Sequence, residues 1–209
     1  MSEYAGKYDD VVEGRRGAWM QTSMGGKFFP LDPRPEDFCI SDLANGMALD
    51  CRYAGQGRVD RYYSVAEHCV HMARYSIRDS THPTVSMVVL LHDAAEGFFN
   101  DLPRAVKHAV GSAYSDLEDN FQDIILAKYK LLIISVENAH YIKDLDRRMV
   151  PLEKAVIMRY PQPWAYDQFE PLDGITIQCW TPSQAKLEWL VTYEQLCKKL
   201  GWTPEKWEL

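Results

Sequence analysis

The stretch Thr84–Phe99, TVSMVVLLHDAAEGFF, decides the fold. It is apolar nearly all round at helical spacing, and a helix of that kind is buried at the centre of a bundle rather than laid on its surface. Thr84 can cap its start. Towards its end stand His92, Asp93 and Glu96, with Asp101 just beyond in NDLP. Charged groups are rarely buried unless paired or bound to metal. The segment that sets the core therefore also carries the polar groups whose purpose must be explained.

Helical patterns flank this segment on both sides. Ser41 can cap a short helix over DLANGMALDC, and YSVAEHCVHMARYS carries a capping box, Ser64 with Glu67 at the third helical position. Asp101 can cap LPRAVKHAV, with Pro103 tolerated in the first turn. Longer helices follow over SAYSDLEDNFQDIILAKY and VENAHYIKDLDRRMVPLEKAVIM, the second kinked or divided at Pro151. PQPWAYDQFEPLDG reads as a loop and ITIQCW as a short extended segment; Thr181-Pro182 starts a last amphipathic helix that ends near Gly201. The sum is an all-α single domain over residues 1–209 with about six or seven helices. Residues 1–38, rich in Gly and Pro, are expected to be an irregular lead-in.

Composition narrows the function classes. The 209 residues are 46% hydrophobic and 25% charged, with a net charge of −7. An acidic balance argues against a nucleic-acid polymer as partner, which would need a basic stripe, but leaves room for a small anionic ligand in a local basic pocket. The five cysteines are odd in number, widely spread and without a CxxC pair, so they read as reduced thiols of a cytoplasmic protein rather than a disulfide framework or a cysteine zinc site. The opening MSEYAGKYDDVVEG lacks the apolar centre of a signal peptide, and no apolar run reaches membrane-spanning length.

Metal sites need several His or carboxylate ligands converging on one point. His68 lies in the first turn of its helix, His92 and Asp93 are adjacent on the apolar one, and Asp146 lies on a later one. Adjacent helical residues diverge by about 100°, yet both can reach an ion seated between them. Asp144 competes with Asp146. Helical period favours Asp146, four after Ile142 and three before Met149 on the apolar stripe, whereas Asp144 shares its face with His140, Tyr141, Arg147 and Arg148. A lone core His is more often hydrogen-bonded than metal-bound, and an isolated His-Asp pair is common. The ordered set on three separate helices is more specific. His71 reads as structural, and His82, His108 and His140 as surface or helix-end residues.

YSVAEHCVHMA, LLHDAAEGFFNDLPRAVK and IKDLDRRMVPLEKAVIM resemble the successive signatures of HD-domain phosphohydrolases. The closest branches are the HD-domain 5'-deoxynucleotidases and the phage and prophage HD hydrolases, which include dATP triphosphohydrolases. QTSMGGKFFPLDPRPEDFCISDLANGMALDCRYAG and PLDGITIQCWTPSQAKLEWL are similar to the lead-in and tail of the phage-type branch, so the resemblance runs from about residue 19 to residue 200. It implies an HD-domain helical bundle with metal ligands at His68, His92, Asp93 and Asp146. Glu96 would be the acid/base carboxylate, with Asp93 also in the catalytic group. Asp101 would meet the sugar 3'-hydroxyl, Lys107 and Arg104 would lie near the phosphates, and Arg52-Tyr53 would be the pair in which Arg meets phosphate and the ring stacks beside the base. Tyr53 stands where relatives carry Trp or Phe, and Gln56 where they often have His.

The implied cofactor is one divalent transition ion (Co, Mn, Zn, Ni or Fe), with a second divalent ion accompanying the phosphates. The implied reaction is water attack on the α-phosphorus of a small deoxynucleotide, expelling the 5'-oxygen. It yields triphosphate from dATP, the favoured case, or phosphate from a monophosphate. The implied assembly is a homo-oligomer, dimer or hexamer. An HD enzyme acting on a cyclic nucleotide or alarmone fits Arg52-Tyr53 and NDLP less well. A non-catalytic, metal-stabilised nucleotide-binding module would not need Glu96.

Overall fold

Residues 84–99 form the centre of the molecule, but not as one helix. The computed structural model describes residues 12–209, so the first part of the expected lead-in, and most of the segment read as lacking a signal peptide, lie outside it. Helix α3, Pro83–Leu91, buries every side chain from Val85 to Leu91, and the one hydroxyl among them, Ser86, is satisfied by Ser76 at 2.9 Å. Its N-cap is His82 rather than Thr84, because Pro83 takes the first helical position, where its missing N–H is no loss. At His92–Ala95 the chain tightens. The amide of Ala94 bonds to Leu91 and that of Glu96 to Asp93, at 3.1 and 3.0 Å, the three-residue spacing of a tighter coil. A short α4, Glu96–Phe99, follows and ends at Asn100, whose φ is +69°.

The other elements pack around α3. Helix α1, Ile40–Leu49, begins two residues before the expected start. Asp42 rather than Ser41 closes its first turn, accepting from the Cys39 amide at 3.2 Å. Helix α2, Val65–Arg78, is capped by Ser64, whose hydroxyl accepts from the Glu67 amide at 3.1 Å. The reciprocal half of that capping box is missing, since the Glu67 carboxylate is engaged elsewhere. Helix α5, Arg104–Val110, has Pro103 at its N-cap; Asp101 does not cap it and accepts instead from the Tyr53 amide at 3.3 Å. Helices α6, Ser112–Lys128, α7, Leu132–Ile157, and α8, Pro182–Leu200, complete an all-α fold. The described residues thus hold seven helices longer than four residues, in line with the expected six or seven, and the four-residue α4 besides, because the central segment divides in two.

Helix α7 runs unbroken through Pro151. A proline inside a helix removes one backbone bond, but the buried Met149, Val150, Glu153 and Ile157 anchor the helix on both sides of it, and packing outweighs local propensity. Helix α8 starts with Thr181 as N-cap and ends at Gly201 in the left-handed conformation that glycine adopts without strain. It packs on α1, α2 and α3, closing the bundle.

The lead-in is not wholly irregular. Strands β1, Met20–Gln21, and β2, Lys27–Phe28, form a small antiparallel hairpin with Met20 opposite Phe28. Phe28 is fully buried and packs on Phe98 and Phe121 with ring centroids 4.5 and 4.6 Å apart, which fastens this segment over α4 and α6. All five cysteines are free thiols, and no helix among the described residues is long and apolar enough to cross a membrane.

Candidate metal centre and cleft

Three helices deliver the polar groups to one place. His68 comes from the first turn of α2, His92 and Asp93 from the tightened turn after α3, and Asp146 from the middle of α7. His68 Nε2 lies 3.5 Å from Asp146 Oδ1 and 3.8 Å from Asp93 Oδ2, and His92 Nε2 lies 3.2 Å from Asp93 Oδ2. His68, His92 and Asp146 each offer a ligand atom within 4.8 Å of the others, and Cys69, His92 and Asp93 form a second such group. Asp144 points away and pairs with Arg148 at 3.6 Å.

Hydrogen bonds decide which ring nitrogens are free. His92 Nδ1 is 2.8 Å from the Val89 carbonyl, an acceptor, so Nδ1 carries the proton. His68 Nδ1 is 2.6 Å from the Glu153 carboxylate, with the same consequence. Both Nε2 atoms then present lone pairs. Each is buried and has no hydrogen-bond partner among the described residues. Buried polar groups are normally satisfied, so two orphaned imidazole nitrogens beside two carboxylates form a donor set that fits a divalent cation. Cys69 suits it less, because its sulfur faces the protonated Nδ1 of His92 at 3.8 Å.

Above this floor opens a cleft of about 960 Å³. Arg52, Tyr53, Glu96, Asp101, Arg104 and Lys107 all line it, together with Asp93 and Asp146. Arg52 is nearly buried at 9% exposure and spans the acids, 3.3 Å from Asp93, 3.6 Å from Glu153 and 3.8 Å from Asp146. Glu96 is buried with one oxygen unpartnered. Burial, followed by the charges of Asp93 and Asp101, pushes its carboxyl well above the ordinary range. Lys107 lies 3.5 Å from Glu96 but makes its closest contacts with Glu118, 2.9 Å to each oxygen, so it is not a free surface charge. Asp101 is held from behind, its amide donating to Asp50 at 2.6 Å; burial raises the Asp50 carboxyl to about 6.

The residues expected around the ligand therefore share one cleft, and the structure adds others. Trp164 and Tyr166, from the loop before α8, form the opposite wall. Trp164 faces Tyr53 with centroids 5.6 Å apart, and Arg104 lies 5.7 Å from the Tyr166 ring. Lys154 fastens this wall through Asp167 at 2.8 Å. Tyr53 is not a simple stacking platform, for its hydroxyl donates to the buried Glu153. Glu153 also had a signal in the sequence: it stands seven residues, two helical turns, after Asp146 on the same face of α7. His71 lies outside the cleft, bonded to Glu67 at 3.2 Å beside Trp180; His82 caps α3, while His108 and His140 are exposed.

No protein-family model matches the chain. Over 194 residues, 88% of the chain and 98% of the relative, it is 28% identical to an uncharacterized protein of Rhodobacter capsulatus. Over 114 residues, 54% of the chain and 60% of the relative, it is 27% identical to the uncharacterized protein YfdR of Escherichia coli K12.

Proposed function

We propose that the chain is a metal-dependent phosphohydrolase of the HD-domain type that cleaves the 5'-phosphoester of deoxynucleotides, with dATP, giving deoxyadenosine and triphosphate, as the favoured substrate. The observation that carries this reading is the pair of orphaned Nε2 atoms of His68 and His92, converging with Asp93 and Asp146 on the floor of a cleft that also holds arginines. Those four side chains would hold one divalent transition ion. When bound, such an ion lowers the pKa of water and neutralises charge on a phosphoryl group.

The chain's own residues supply the rest. Arg52 can fork two phosphate oxygens near the floor, and Arg104, exposed at the mouth, offers a second positive charge at another depth. Two cations at different depths suit a polyphosphate chain better than a single phosphate, which favours the triphosphate over 5'-nucleotidase action on monophosphates. Glu96, its carboxyl raised, holds a proton that it can give to the departing 5'-oxygen. Lys107 acts on Glu96 more directly than on phosphate, since Glu118 holds it at 3.5 Å from that carboxylate. Asp101, fixed by Asp50 and the Tyr53 amide, offers a carboxylate to the sugar hydroxyl. Tyr53, Trp164 and Tyr166 provide apolar faces for a base.

Incubating the full chain with Mn²⁺, Co²⁺ or Zn²⁺ and panels of dNTPs and dNMPs, and assaying triphosphate and phosphate, tests this. Triphosphate from dATP is expected. Phosphate released only from dNMPs assigns the nucleotidase reaction instead, and release of neither product with any metal rejects the hydrolase.

A further inference from the structure

We infer that Glu153 is the positioning residue of the metal centre, fixing the tautomer and orientation of His68 and tying that ligand, through Tyr53, to the cleft wall. The inference rests on the metal-binding part of the function proposed above and is independent of the substrate. Glu153 is fully buried, and both its oxygens are engaged. Oε1 accepts from His68 Nδ1 at 2.6 Å and from the Tyr63 hydroxyl at 3.1 Å, while Oε2 accepts from the Tyr53 hydroxyl and lies 3.6 Å from Arg52. A buried carboxylate is costly unless such partners surround it. With the Arg52 guanidinium and two tyrosine hydroxyls directed at it, the Glu153 carboxylate is placed as an acceptor, so His68 donates from Nδ1 and turns its Nε2 lone pair towards Asp93 and Asp146.

The two histidines are held differently. His92 is oriented by the Val89 carbonyl, a backbone group that no substitution removes. His68 depends on a side chain, and so its orientation can be switched off while His92 remains as an internal control. Tyr53 adds the link to the cleft. It sits at φ +60° and its neighbour Ala54 at φ +50°, conformations that side-chain-bearing residues adopt at a cost and that persist when surroundings enforce them. In that turn the Tyr53 ring faces Trp164 while its hydroxyl reaches Glu153, so contacts on the wall bear on the group that holds His68.

The test is Co²⁺ titration of the chelator-stripped full chain, followed by the visible absorption bands of the bound ion, for the wild type, Glu153→Gln and Glu153→Ala. Thermal melts of the metal-free forms establish folding. Outer-shell partners of metal ligands are typically worth roughly 10–100-fold in affinity. Glu153→Ala is expected to fall in that range with altered bands. Glu153→Gln, which keeps an acceptor oxygen but no charge, should lie between it and the wild type. If the alanine variant does not fold, the glutamine variant decides. Wild-type affinity and an unchanged spectrum in the folded variants overturn the inference while leaving the metal site standing. Failure of the wild type to bind Co²⁺ removes the metal site itself, and the role of Glu153 with it.

Discussion

At the residue scale, Glu96 separates an enzyme from a binding module. It is buried, unpartnered at one oxygen and close to Lys107, yet its carboxylate is outside both groups of converging ligand atoms. Glu96→Gln should therefore lower kcat by about 10²–10⁴-fold, the usual worth of a general acid or base, with metal content unchanged by elemental analysis. Loss of metal in that variant would instead place Glu96 among the ligands. The residues legible in the sequence were those whose type was unusual for their position, such as His92 and Asp93 at the end of an apolar run and Asp146 on an inward stripe. Glu153 escaped because a glutamate on a helix normally reads as a solvated charge. Trp164 and Tyr166 escaped because an aromatic in a loop gives no sign of what it faces. The pairing of Lys107 with Glu118, eleven residues on and in the next helix, has no local signature either.

At the element scale, the position of Glu96 depends on two glycines. Gly46 of α1 and Gly97 of α4 meet so closely that a Cβ on Gly46 would lie 2.1 Å from the Gly97 carbonyl oxygen. Gly46→Ala is thus expected to force α1 and α4 apart. It should cost about 1–3 kcal/mol in urea unfolding, as overpacking does, and lower kcat through displacement of the adjacent Glu96. A variant with unchanged stability and turnover would show that the contact yields freely. Periodicity made the helices legible, including the capped starts of α2 and α8. It did not reveal the break after Leu91, because the apolar pattern continues to Phe99 while the backbone tightens. The continuity of α7 through Pro151 was hidden for the opposite reason: a local rule forbade what buried contacts on both sides enforce.

At the scale of the whole molecule, the centre exists only when α2, the turn after α3, and α7 are assembled together. A cation bound by all three binds the folded state alone and must stabilise it. At a concentration 100-fold above its dissociation constant the gain is about 2.7 kcal/mol. For a chain of this size that raises Tm by roughly 5–10 °C. Thermal melts with Mn²⁺ or Co²⁺, and again after a chelator, should show that rise and its reversal. A Tm indifferent to every divalent ion would argue against a centre that spans the bundle.

Glu67, one residue before His68, has no exposed surface and receives the amides of Gln178, Cys179 and Trp180 at 2.7, 3.0 and 2.7 Å. These three belong to a segment with no regular secondary structure, where amide protons ordinarily exchange with solvent quickly. Here each is tied to a buried anion whose release would leave an unpaired charge inside the bundle. Their exchange clocks should therefore run at the pace of global opening, alongside the amides of α3. A slow island in an otherwise fast stretch would mark where the chain's late segment is locked to helix α2.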